Sequence, residues 1–427
     1  MVNLNIRKNV STNVIAFFIN IALTFIGYRM VLDKEGTIAL GVWSALSAAI
    51  FIIRLGDVGM GSSAERHVAM VDAQTDPKKA RGYLDTAIVI NLFLFIILAI
   101  IGWFLLSAKI AWIIPKDKNL QFQALTLLPL MLSVFVISNV ANVITGGLRG
   151  LHLAYQAAYL SIGGTLLQML VVIILVPKLG IAGLAWGQFA QNFLITLLAW
   201  FLFNKHIKQY GLSYSWLPIL GSKNYFKKLF SFSLKAQAVN LINGLFEPVS
   251  KFLIGHSAGM STLGLYEIAL KMVQLPRNAI VAGVHSVTPT MTSLLINEKK
   301  EAIRLYKKSL KNVFIITFLV LMGIFLISPL CSLYLFGEIK TDFSIIIFIL
   351  IFGYLGNVLG APAYTLGFSA GKLKGNLISA LSSLFVLIFA FFVSFKFEFQ
   401  YFYILSISIA IFYGGIMVKF WNERKLL

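Results

Sequence analysis

The sequence predicts an all-α integral membrane protein of about 12 transmembrane helices, and three observations predict it. Of the 427 residues, 59% are hydrophobic and only 12% charged, where a soluble globular domain carries roughly 25% charged residues. The apolar runs are continuous and about 20 residues or longer, which is helix length for a bilayer. Membrane barrel strands would read instead as alternating segments of about ten residues. The cations also gather on alternate loops, as membrane topology demands.

In chain order the spans fall at 10–32, 37–60, 84–106, 122–144, 157–176 and 181–203, then at 232–254, 263–294, 313–336, 343–368, 377–395 and 399–420. The first run is too long for a signal-peptide core and has no small-residue cleavage pattern, so it reads as a retained span. With the N-terminus inside, 23 of the 36 Lys and Arg residues fall on the cytoplasmic side and 7 on the other, the rest lying within spans. Both termini are therefore expected in the cytoplasm. The net charge of +20 is then mostly a product of topology and needs no nucleic-acid partner. The basic run Lys299 to Lys311 is expected against anionic membrane lipids. One cysteine, Cys331, excludes an internal disulfide and offers no metal cluster.

The chain also divides in two. A basic cytoplasmic linker, 206–231, separates an N-terminal lobe of six spans, 1–205, from a C-terminal lobe of six, 232–427. Gly41-Val42-Trp43 matches Gly264-Leu265-Tyr266 at an offset of 223, and the same offset carries Arg54 onto Arg277. Six spans per half make the repeat parallel, and transporters built this way are expected to place substrate between their halves.

Charges inside the spans are the candidate site, because an ionised side chain at that depth costs several kcal/mol unless a partner or a wet cavity meets it. Arg29, Arg54, Lys251, Lys271 and Arg277 are the candidate cations for an anionic substrate; Asp57, Glu247 and Glu267 are candidate coupling or charge-balancing acids. Arg54 and Asp57 are three apart, and Glu247–Lys251 and Glu267–Lys271 are spaced for one-turn helical pairs. Arg29 has Asp33 one turn on, so it either lines a cavity or snorkels to the interface, and Lys251 has the same two options. Pro276 is expected to loosen the helix beside Arg277. Arginine suits phosphate oxygens, and two levels of cation would let a phosphate group move without leaving positive potential.

Four segments resemble bacterial polysaccharide flippases of the O-antigen (Wzx) type. They are Leu55-Gly-Asp-Val-Gly-Met-Gly-Ser-Ser-Ala-Glu-Arg-His-Val-Ala69, Gly146-Gly-Leu-Arg-Gly150, Leu179-Gly-Ile-Ala-Gly-Leu-Ala-Trp-Gly187 and Leu263-Gly-Leu-Tyr-Glu-Ile-Ala269. The resemblance implies two six-helix lobes in a V-shaped bundle of the multidrug/oligosaccharidyl-lipid/polysaccharide (MOP) exporter type. It implies a lipopolysaccharide-pathway cargo, undecaprenyl-pyrophosphate-linked oligosaccharide, moved from the cytoplasmic to the periplasmic leaflet of the bacterial inner membrane. Lipid II flippases of the same superfamily use cavity arginines on their first and second spans, which Arg29 and Arg54 match, but have two further C-terminal spans.

Two other functions compete. A multidrug/cation antiporter of the same fold would need acids able to bind Na+ or H+ and organic cations, whereas each buried acid here has a cation nearby. A membrane polysaccharide polymerase or glycosyltransferase would need a large outer loop or an acidic catalytic constellation. The sequence displays neither, nor a metal-ligand spacing, so no catalytic residues, no cofactor and no enzyme activity are expected. Coupling to H+ or Na+, the sugar carried, and contacts with a polysaccharide polymerase and chain-length regulator are left open by the sequence.

Overall fold

The computed structural model describes residues 6–54, 59–71, 76–114, 117–212, 217–218, 223–285, 287–372, 374–394 and 400–426. These form α1 (Ile6–Ile53), α2 (Met60–Ala69), α3 (Pro77–Ala108), α4 (Ile110–Ile113), α5 (Lys118–Gly150), α6 (Ala154–Leu179) and α7 (Ile181–Gln209). There follow α8 (Lys223–Ser257), α9 (Gly259–His285), α10 (Thr288–Asn297), α11 (Lys299–Phe336), α12 (Thr341–Ser369), α13 (Lys374–Ser394) and α14 (Gln400–Leu426). Among the described residues, nine helical segments are long and apolar enough to cross a bilayer. The protein is an all-α, multi-pass membrane protein, and nearly all the described residues of the twelve predicted spans are helical. The shorter or more polar exceptions, α8, α9 and α10, include the two helices that carry most of the intramembrane charge.

Three boundaries differ from the sequence reading, each for a backbone reason. The first two spans are continuous in α1 except for a break at Gly36, whose φ of 77° is left-handed and favours glycine. The second span ends at Ile53 rather than at residue 60, and α2 starts afresh after Gly59, again left-handed at φ 71°. The expected eighth span, 263–294, is two helices: α10 begins at Thr288 with a proline in its first turn, where the missing N–H costs nothing and favours a new start. Pro276, by contrast, sits inside a continuous α9.

The chain forms two compact units, one of Met1–Gly36 with Leu46–Leu241, the other of Thr37–Ala45 with Ile242–Leu427. In the first unit α5 is the interior helix, packed against α2, α3 and α7. Small residues make this closeness possible: a side chain at Gly146 would meet the Gly61 carbonyl, and one at Gly150 the Glu65 carbonyl. The α6–α7 turn is pinned by Glu35, whose carboxylate accepts the Ile181 N–H at 2.9 Å. An acid at a helix N-terminus is favoured by the helix dipole. Gly180 (φ 56°) leaves the space that this carboxylate fills.

In the second unit α12 packs along α14 through Gly353, Gly356 and Gly360, where any side chain would meet Ser408, Phe412 or Gly415. The 37–45 stretch crosses α9. A side chain at Gly41 would strike the Met260 carbonyl, and one at Gly264 would strike the Thr37 carbonyl. The offset of 223 maps Thr37 onto Met260 and Gly41 onto Gly264, so the crossing is its own image in the repeat. Thr37 Oγ1 and Ser261 Oγ share a hydrogen bond of 2.9 Å beside it.

Candidate functional site

Buried charge in a membrane helix must find a partner, and in the second unit four charged side chains find each other. Lys251 Nζ lies 2.7 Å from Glu247 Oε1 and 2.8 Å from Glu267 Oε2. Lys271 Nζ lies 3.3 Å from Glu247 Oε1 and 3.9 Å from Glu267 Oε1. The spacing predicts two separate one-turn pairs, one on α8 and one on α9; the structure joins them across the helices into one quartet. Uncharged donors complete it. Ser44 Oγ donates to Glu267 Oε2 at 2.7 Å, and Gln274 Nε2 donates to Glu247 Oε2 at 2.9 Å. The Lys251 and Glu267 side chains are 5% and 4% exposed. Two ammonium groups against two carboxylates leave the quartet with no net charge, and burial makes Lys251 and Glu267 dependent on their partners, while Glu247 and Lys271 remain 34% and 24% exposed.

Arg277 is held differently. Its Nε and Nη2 donate to Asn357 Oδ1 at 2.9 and 2.6 Å, and its Nη1 donates to Asn278 Oδ1 at 2.9 Å. These partners are carboxamides, and no carboxylate lies within ion-pair distance of Arg277 among the described residues. The guanidinium is thus aimed and half-buried with its positive charge uncompensated by an acid.

Arg54 follows directly on the last residue of α1, at the helix end where the dipole favours a cation. Its Nη2 lies 3.4 Å from Ser138 Oγ of α5, and it lines a cavity of about 240 Å3 with Phe51, Phe135, Ser138 and Gln188. Asp57 lies outside the described residues. Arg29 pairs with Asp33 at 2.9 Å; the arginine side chain is 29% exposed and that of the aspartate 55%. Lys251 takes neither of the options open to it in the sequence, being enclosed by the quartet.

One buried pair escaped the sequence reading. Arg81 and Asp85 on α3 are 3.3 Å apart and almost fully buried, at 2% and 0% exposure. Arg81 also donates to the Leu217 carbonyl and lies over the Trp200 ring at 5.4 Å. Counted as a loop cation, Arg81 instead ties the start of α3 to α7. Its one-turn spacing to Asp85 was the available signal.

Comparison with known proteins agrees with this architecture. A family model described as "Polysaccharide biosynthesis protein" matches residues 67–344. No curated protein sequence matches significantly. Among solved structures, the chain is similar to a multidrug resistance MATE family transporter of the MOP superfamily in an inward-facing conformation. There the identity is 15% over 97% of this chain and 98% of that one, with a TM-score of 0.81. A MATE transporter in complex with MaL6 aligns at 17% identity over 98% and 96% of the two chains, with a TM-score of 0.69. A MOP superfamily transporter from Pyrococcus furiosus Vc1, described by the reverse polarity of its binding pocket, aligns at 15% identity over 95% of both chains, with a TM-score of 0.64. At such identities the likeness establishes the fold, that of the MATE and MOP transporters.

Proposed function

The chain belongs to the family of polysaccharide biosynthesis proteins, and from that premise we propose that it is a flippase. In this reading it carries an undecaprenyl-pyrophosphate-linked oligosaccharide from the cytoplasmic to the periplasmic leaflet of the bacterial inner membrane, by alternating access and with both termini in the cytoplasm. The observation that carries the reading is Arg277, a half-buried guanidinium oriented by two carboxamides and paired with no acid among the described residues. Such a group attracts a phosphate and repels an organic cation. Arg54, its counterpart in the repeat, meets the phosphate in the first unit. The quartet is charge-balanced within itself and makes a weaker anion site; its acids are likewise held by lysines, which disfavours a cationic-drug antiporter.

The test is leaflet transfer in liposomes. Reconstituted wild-type protein transfers an undecaprenyl-pyrophosphate-linked oligosaccharide, and the correctly inserted Arg54→Ala/Arg277→Ala variant slows that transfer by more than about tenfold, the equivalent of one lost charge-assisted contact. Transfer by both proteins at equal rates would remove the arginine site. Drug-dependent proton or sodium flux without lipid transfer would replace the flippase by the antiporter.

A further inference from the structure

Along α5, Ser138, Asn142, Thr145 and Arg149 are spaced by four, three and four residues, the repeat of a single helix face. That face borders two cavities of the first unit. The one at Arg54 includes Ser138 and, from α7, Gln188. The other, of about 270 Å3, includes Asn142, Thr145 and Arg149 of α5, Ser161 of α6 and Asn192 of α7. Ser138 and Asn142 are one turn apart, as are Gln188 and Asn192, so the cavities follow one another along both helices. Each is near the lower size of ligand clefts, roughly 300 to 1,000 Å3.

Between Arg54 and Arg149 the polar groups of the lining are uncharged, set among the apolar Ile50, Met131 and Val134 of the first cavity and Ile195 of the second. The side-chain amides of Asn142 and Gln188 and the hydroxyl of Ser161 make no hydrogen bond to protein among the described residues, and so have donors and acceptors to offer. A position facing lipid would be an unsuitable place for such groups. Beyond Phe122, α5 exposes no large hydrophobic side chain among its described residues, whereas α3 exposes Phe93, Ile97, Ile100 and Phe104. The 138–149 face of α5 thus brings Ser138, Asn142, Thr145 and Arg149 to the cavities rather than to lipid. Ala154, Ala157 and Ala158 form a low wall of the second cavity, leaving room for a ring, and Phe51 and Phe135 put flat apolar surface in the first.

Building on the flippase reading, we propose that this α5–α7 face is a glycan track. The sugar hydroxyls of the cargo bond to Asn142, Gln188 and their neighbours, while the pyrophosphate stays at the Arg54 end. Amides that both donate and accept fit vicinal hydroxyls without selecting a charge, so the track takes neutral oligosaccharide.

Binding by the full chain in detergent tests this with two probes, undecaprenyl pyrophosphate and undecaprenyl pyrophosphate bearing a neutral trisaccharide. Wild type binds the sugar-bearing probe at least about tenfold more tightly. Asn142→Ala/Gln188→Ala, melting as wild type does, loses that gain and binds the bare probe as before. Asn142→Gln, which retains an amide, retains most of the gain. Equal binding of both probes by wild type, or a gain untouched in the double variant, overturns the track and leaves the flippase reading standing. Failure of wild type to bind either probe overturns both.

Discussion

The two copies of the repeat carry different charges on their corresponding helices. In the C-terminal half, Glu267 and Lys271 join Glu247 and Lys251 in a closed quartet, two cations against two anions. The offset of 223 that maps Arg277 onto Arg54 maps Glu267 onto Ser44 and Lys271 onto Ala48. The N-terminal half thus keeps the arginine and dispenses with the quartet. Proximity in sequence made all these cations look equivalent; carboxylates from another helix reach Lys251 and Lys271, whereas Arg277 is held by carboxamides. Removing one member of such a self-satisfied cluster is costly, whereas on the proposed function the arginine common to both halves meets the ligand.

The comparison breaks first at Lys251. Lys251→Met leaves the buried Glu267 with only Lys271, at 3.9 Å, as a cationic partner, and such unpairing of a buried charge costs about 3–5 kcal/mol. The melting temperature of the purified protein in detergent should fall sharply, and a wild-type melting curve would show that the quartet is not structural. A same-chemistry control at the other extreme sharpens the point. Asp33→Asn removes the carboxylate from Arg29 at an exposed site, where ion pairs contribute about 0–1 kcal/mol. Its melting curve should nearly overlay that of wild type, and a large loss would mean that Arg29 is held for more than an interfacial contact.

Much of the fold was legible because hydropathy and cation placement register directly in the sequence. The glycine motifs were legible too, though what they mark is helix contact: Gly146 and Gly150 against α2, and Gly264 against the 37–45 stretch. The candidate charges on α8 and α9 stood out for the same reason, as departures from apolar runs. What spacing could not reveal was the cross-helix pairing. A one-turn interval exposes Glu247–Lys251 but says nothing of Lys251–Glu267, which depends on how α8 meets α9. Arg81 was lost because a cation near a span end reads as topology, although Asp85 and Trp200 enclose it. The α5 face was hidden among single polar residues in an apolar run, and only its four-three-four interval could have exposed it.

On the proposed function the quartet is structural while Arg277 holds the cargo. Transfer of the lipid-linked oligosaccharide should therefore be compared in liposomes for Lys251→Met/Glu267→Gln, which removes one charge of each sign and leaves the 3.3 Å Lys271–Glu247 pair, and for Arg277→Ala. The account predicts transfer within a few-fold of wild type for the first, normalised to folded protein, and a loss of about tenfold or more for the second. Abolished transfer in the folded quartet variant with normal transfer in Arg277→Ala would contradict it, and would make the quartet the working site.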